Sequence, residues 1–242
     1  PPSYAGALLF AAAPELLGHP DVVPYTTVLV HLDQTFRWHG ALPVDTGVQL
    51  RGDVSRVRSR SGAYFVTYEL NVLSGSDVVI ESTSTFLLGD APASDVPEER
   101  QEPPVRLRSE SDLPEPYDPA EGVPTLQKSA SRHDLVRYAA ASGDFNPIHF
   151  DHGAARGAGL QGIVCHGLLT TAWVAQLAGS ATQGAVPIRE LAVRYRDPVY
   201  PADSVVVAGE AREPTGGTRR LDLTVSVGDR MAISGRAVVQ EG

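Results

Sequence analysis

Two side chains able to trade protons stand five residues apart in the second half of this chain: Asp144 and His149, separated by Phe145-Asn146-Pro147-Ile148. Histidine titrates near neutrality, so an imidazole can both accept and return a proton. A nearby carboxylate can hold its tautomer or share one bound water with it. Pro147 keeps Asn146 out of helical geometry and favours a turn, which would fold Asp144 and His149 toward one point. Asn146 carries donors and an acceptor that could orient either partner. Further on, His166-Gly167 stands directly in front of an apolar, helix-forming run. Unpaired N–H groups at such a helix start attract an oxyanion, and glycine lets a carbonyl approach the backbone closely. One donor of this kind contributes about 2.7–4 kcal/mol to transition-state stabilisation. An acyl thioester whose α-carbon gains or loses a proton develops that charge on its carbonyl oxygen.

The same residues have plainer readings. Asp-Phe-Asn-Pro is also good turn chemistry, and His149 could lie on the surface. Asp151 and His152 crowd His149, but spacings of two and one match no common ligand pattern, and Cys165 is a poor fourth ligand; no metal is expected. His152 is read as exposed and His166 as shaping the turn into the helix. Cys165 has no activating neighbour except His166, which argues against a nucleophilic thiol.

The elements that must position these groups form a repeat. Ser3 to Leu17 reads as a largely buried helix that Pro14 should end or kink near Ala13. Four alternating, strand-like runs follow, at Thr27–Trp38, Thr46–Arg60, Ala63–Leu73 and Asp77–Leu88, an antiparallel meander with one face on a core. Arg56, Arg58 and Arg60 fall on one face of the second run and read as a solvated outer face. After Gly89–Pro124 come a short strand (Thr125–Ser129) and a helix (Ser131–Ala141) with Ser131 and Asp134 as a capping-box variant. Then an apolar helix (Leu168–Ala178) precedes four more runs, at Val186–Arg196, Asp203–Arg212, Thr218–Val227 and Met231–Val239. A helix apolar nearly all round must be buried, and a curved sheet with one apolar face can enclose it. The expected fold is α+β, a double hot dog: two tandem antiparallel sheets, each wrapped around a central helix. Its parts are residues 1–88, a non-catalytic substrate-holding half; 89–124, a linker; and 125–242, the half that carries the Asp/His stretch. Only the second half has a long segment ahead of its helix, so chemistry is expected there alone.

Charge follows the same division. Of a net −9, the stretch Gly89–Pro124 carries −7 (ten acidic residues against three arginines), leaving −2 for the rest. That stretch is rich in proline and acid and nearly free of aliphatics, the composition of a linker. With no basic stripe to neutralise phosphates, nucleic-acid binding is not expected. No apolar stretch approaches the ~18 residues needed to span a bilayer, and Ala7–Pro14 lacks the basic lead-in of a secretory signal. The single cysteine, Cys165, rules out an intrachain disulfide and fits a reducing, cytoplasmic setting.

Tyr138, then Ser142-Gly143-Asp144-Phe145-Asn146-Pro147-Ile148-His149, Ala155, and Ile163-Val164-Cys165-His166-Gly167 together closely resemble the MaoC-like (R)-specific enoyl-CoA hydratases and 3-hydroxyacyl-thioester dehydratases. The resemblance covers about half of the chain, and the first half looks like the catalytically silent hot dog of the family's two-hot-dog members. It implies reversible syn addition of water to a trans-2-enoyl thioester of CoA or acyl carrier protein. Asp144 and His149 would be catalytic, Asn146 supporting, and the Gly167 N–H would polarise the thioester carbonyl. Ile148, Cys165, His166 and Leu168 would contact substrate, with no cofactor required and a homodimer possible. One departure is Ala175, nine residues after His166, where some hydratases carry a serine; Thr170 or Thr171 could substitute. A hot-dog thioesterase or a non-catalytic acyl-binding subunit are the rival readings. The small residues Ala5, Gly6 and Ala7 hint at room for a long or bulky acyl group. The chain starts Pro1-Pro2 without the strand the family places ahead of its first helix, so further N-terminal residues are expected.

Overall fold

The alanine- and leucine-rich start of the chain forms α1, Tyr4–Leu17, in the computed structural model. The structure describes residues 1–42, 44–89, 97–101, 123, 125–181 and 188–241. The helix does not stop near Ala13; it runs through Pro14 and closes where the Gly18 N–H meets the Pro14 carbonyl at 2.9 Å. Proline removes only the bond to the Phe10 carbonyl, and beyond it Leu16 still packs, partly buried, against the core that takes up Leu8, Leu9 and Ala12.

Four antiparallel strands follow: β1 (Val28–Trp38), β2 (Gln49–Arg60), β3 (Ala63–Ser74) and β4 (Asp77–Gly89). The second half adds β5 (Leu126–Lys128), α2 (Arg132–Ser142), α3 (His152–Gly157) and α4 (Gly167–Ser180), then β6 (Ile188–Tyr195), β7 (Val205–Ala211), β8 (Thr218–Val227) and β9 (Arg230–Gln240). The strands lie close to the alternating runs of the sequence; α3 was not legible there. The segment 89–124, read as a linker, lies mostly outside the described residues. Its described piece is held on the second half: the Arg100 N–H donates to Gln161 O at 3.0 Å, and its guanidinium pairs with Asp203 and lies 4.9 Å over the Tyr200 ring.

The two expected sheets are joined into one. All nine strands form a single antiparallel sheet in the order β2-β3-β4-β1-β6-β9-β8-β7-β5. Read outward from the β1/β6 seam, β4, β3 and β2 on one side match β9, β8 and β7 on the other, so the halves repeat about that seam. Five residue pairs, Asp33↔Arg194 to Arg37↔Glu190, stitch it, and Glu190 adds an ion pair to Arg37 across it and another to Arg236 of β9 in its own half. α4 is buried along its whole length, including Leu168, Trp173, Val174 and Leu177, as an all-apolar helix must be. α1 crowds against it, for a Cβ on Gly6 would sit 3.2 Å from Leu168 Cδ1. At Gly6, then, the space is taken up by helix packing, whereas Ala5 lines a separate cavity.

Alternation does not mean one-sided burial everywhere. β2 is exposed along nearly its full length on both faces, so Arg56, Arg58 and Arg60 share water with Val57. Gly52 in this edge strand lies under the Tyr68 ring, whose hydroxyl a Cβ would strike at 1.8 Å. None of the described helices is long and apolar enough to cross a membrane.

Candidate active site

The second half delivers its carboxylate from the end of α2. The Ser131 hydroxyl accepts from the Asp134 N–H at 3.3 Å while the Asp134 carboxylate accepts from the Ser131 N–H at 2.8 Å, the capping box that fixes where α2 starts. It stops at Gly143, whose φ of 79° is the left-handed conformation glycine adopts without cost. That reversal turns Asp144 inward, and the Ser142 hydroxyl accepts the Asp144 N–H at 3.2 Å.

Asn146 then leaves helical geometry (φ −59°, ψ 122°), as a residue before proline must. Its N–H donates to Asp144 Oδ1 at 3.3 Å, its Nδ2 donates to the Leu29 carbonyl of β1 at 3.0 Å, and its Oδ1 accepts from the Ile148 N–H. Asn146 therefore ties the loop to the first half. Pro147–His149 makes one 3-10 turn that swings His149 back toward Asp144. His149 Nδ1 lies 2.9 Å from the Val164 carbonyl, which can only accept, so Nδ1 carries the proton and Nε2 is left bare. Nε2 faces Asp144 Oδ2 at 3.8 Å, too long for a direct hydrogen bond but within reach of one shared water.

Val164 and Cys165 are themselves clamped, their N–H groups donating to Ile148 O and Val199 O at 3.1 and 2.7 Å. The chain so fixed enters α4 at Gly167. The N–H groups of Leu169 and Thr170 return to the His166 carbonyl, so those of Gly167 and Leu168, one turn too early, have no intrahelical acceptor.

Asp144, Asn146, Ile148, His149, Cys165, Gly167 and Leu168 all line one cavity of about 210 Å³. The first half also contributes wall: Phe10 of α1, Leu29 to Leu32 of β1 and Phe86 of β4. His166 does not line it. Fully buried, it stacks beneath His149 with ring centroids 3.8 Å apart and planes 24° from parallel, and its Nε2 meets the Asp144 carbonyl at 3.2 Å. It packs against the face of the His149 ring and supports it from behind the cavity wall. Three wall residues gave no signal in the sequence: His31, brought in beside a β-bulge in β1; Tyr195, from the end of β6; and Phe10. Ala175 faces α1 and Trp38, away from this cavity. The Thr170 and Thr171 hydroxyls donate back to the Gly167 carbonyl at 2.7 and 3.0 Å, and of the two Thr170 lines the cavity.

Burial sets the charge states. It lifts Asp144 to about 6 against the opposing Asn146 N–H, and lowers His149 to about 4 against the Val164 carbonyl. At neutral pH the pair is a carboxylate beside a neutral imidazole. Burial also pushes the Cys165 thiol well up, which leaves it inert as a nucleophile. Ligand atoms of Asp144, His149 and His166 lie within 4.8 Å of one another, all buried. One nitrogen of each imidazole is already engaged, His149 Nδ1 at the Val164 carbonyl and His166 Nε2 at the Asp144 carbonyl. Asp151 caps α3 by accepting the Ala154 N–H at 2.8 Å, and His152 faces Glu99 at 3.0 Å, so neither joins the cluster.

This geometry has known counterparts. The family described as MaoC like domain matches residues 110–230. A 3-hydroxybutyryl-CoA dehydratase of Methylorubrum extorquens is 37% identical over 120 residues, 48% of this chain and 75% of that protein. The 3-hydroxyacyl-thioester dehydratase X of Mycobacterium tuberculosis is 27% identical over 72% of this chain and 58% of its own. Among solved structures, a MaoC-like dehydratase superposes over 97% of this chain and 83% of its own with a TM-score of 0.75 at 19% identity, which speaks to the fold.

Proposed function

Because the chain belongs to the MaoC-like domain family and is a hydro-lyase of dehydratase type, we propose that it interconverts trans-2-enoyl and (R)-3-hydroxyacyl thioesters of CoA or acyl carrier protein, using Asp144 and His149. The observation that carries this reading is the convergence of three features on one apolar cavity: the Asp144 carboxylate, the bare Nε2 of His149, and the start of α4 at Gly167.

In hydration, one water donates its two hydrogens to Asp144 Oδ2 and His149 Nε2, leaving a lone pair for C3 of the enoyl group. As oxygen bonds to C3, one proton passes to the pair and the π electrons move through C2 onto the thioester oxygen. The Gly167 N–H stabilises that enolate oxygen. The pair then returns a proton to C2, and one water has been added. Both transfers run through groups on one face of the acyl chain, so addition is syn. Dehydration reverses each step. The His166 ring beneath His149 and the Val164 carbonyl fix the imidazole's plane and tautomer.

The test is loss of enoyl absorbance on mixing the purified protein with crotonyl-CoA, with the hydroxy product's configuration read by a stereospecific dehydrogenase. Asp144→Asn and His149→Gln should each lower kcat roughly 10²–10⁴-fold, the value of a positioned acid/base group. Full activity in either variant, or an (S) product, overturns the assignment.

A further inference from the structure

His31 is a buried polar group that this chemistry does not use. It lies on β1 at the bulge between His31 and Asp33 and lines the catalytic cavity from the first half. Its ring sits between Phe86 and Tyr195, with centroids 4.7 and 5.2 Å away. Its Nε2 is buried and has no hydrogen-bond partner among the described residues. Interactions with the Asp33 backbone and the Gln34 side chain favour a protonated ring nitrogen, yet burial dominates and lowers the pKa to about 4. The ring is therefore neutral at working pH, and Nε2 offers a lone pair where the surroundings are apolar. The neighbouring polar groups answer one another: Gln34 donates to Ser82 Oγ at 2.9 Å and accepts from Ser84 at 2.6 Å. An orphaned acceptor in such a wall costs free energy until something donates to it.

Position indicates the donor. A Cβ on Gly167 would lie 3.0 Å from the Tyr195 ring, and His31 packs against the same ring, so His31 stands near the thioester end of a bound substrate. The β1/β6 ladder ends at Asp33↔Arg194, and beyond that end Arg196 is exposed and lines the cavity at its rim. The stretch between rim and Gly167 is where the thiol-bearing arm of the substrate must pass. CoA and carrier-protein thioesters share that arm, and it carries amide N–H groups. We propose that His31 is a specificity residue whose Nε2 accepts a hydrogen bond from an amide N–H of the thioester arm, so that the first half reads the arm common to both carriers as well as holding the acyl group. This rests on the functional reading above.

The test compares wild type, His31→Phe, which keeps the ring stack but has no acceptor, and His31→Gln, which restores one. Affinity for the unreactive butyryl-CoA is read by calorimetry, and kcat/KM is read with crotonyl-CoA and with S-ethyl thiocrotonate, which has no amide. Loss of one buried acceptor predicts a Kd for butyryl-CoA roughly 10–100-fold weaker in His31→Phe, largely recovered in His31→Gln. The loss of kcat/KM should be at least tenfold greater with the CoA thioester than with the ethyl thioester. Equal losses on both substrates, an unchanged Kd, or failure of glutamine to recover binding while both variants melt like wild type would overturn the proposal. Absence of wild-type turnover on either thioester would instead sink the functional reading, and the binding comparison would still decide the role of His31.

Discussion

Exchange of Asp144 for asparagine should leave the protein more stable at neutral pH while removing its activity. Asp144 is 6% exposed, and burial lifts its pKa from the usual 3.8 to about 6. Each pKa unit corresponds to about 1.4 kcal/mol, so keeping this carboxylate ionised costs the folded state about 3 kcal/mol at pH 7.5. The folded pKa lies above the unfolded one. Stability from this group is therefore complete below pH 3.8 and is lost as pH rises through about 6. About half of the loss has developed by pH 5, where the unfolded chain is already ionised. Asparagine does not titrate and can still accept the Asn146 N–H. Urea unfolding of both proteins from pH 4 to 8 isolates the effect, because every other group is common to the two. The variant's advantage should grow by about 2.4 kcal/mol across that range and level off above pH 7. A difference in stability that stays constant across that range, or one that favours the wild type more as pH rises, would refute the claim that burial strains this carboxylate.

The remaining expectations concern the same cavity. kcat/KM for crotonyl-CoA should climb about tenfold per pH unit below about 6 and then stay level, because the carboxylate must be ionised while His149, lowered to about 4, is already neutral; a profile flat from pH 5 to 8 contradicts this. Gly167→Ala places a methyl group 3.0 Å from Tyr195 Cζ, and that ring is held by its hydroxyl 2.7 Å from Thr171 Oγ1. The expected cost is about 1–3 kcal/mol of stability by thermal melt, with kcat reduced because the Gly167 N–H is displaced. Asn146→Ala leaves the Leu29 carbonyl and Ile148 N–H unanswered and should lower stability by about 1–3 kcal/mol, with kcat falling more than KM rises.

How far the sequence carries a reader depends on the kind of interaction. The strands and α4 were legible because their patterns are local: alternation in β1 and β3, and a helix apolar on all sides. The Asp144–His149 pair was legible because Pro147 and Gly143 constrain the backbone between α2 and the 3-10 turn, whatever surrounds them. The place of His166 was not, since stacking beneath His149 depends on how α4 docks, and no spacing encodes that. Pro14 misled for a related reason: its lost hydrogen bond is a local penalty, while the burial that outweighs it comes from residues distant in sequence. β2 alternates as well as its neighbours do, yet it overhangs the core and buries neither face.

The seam between the halves changes what a silent half means. Had the two hot dogs been separate sheets, the first could have held an acyl chain at a distance from the chemistry. Instead β1 pairs with β6 in one ladder, and the strand that forms the seam also supplies wall to the catalytic cavity. The Leu29 carbonyl of β1 accepts from Asn146, the residue whose N–H meets the Asp144 carboxylate. Phe10, His31 and Phe86 line the same cavity as Asp144 and His149. A change in β1 that shifts this register would therefore move the wall and the Asn146 anchor together. Divergence in the first half is free to alter substrate choice, but only through side chains that leave the β1 backbone where Asn146 needs it.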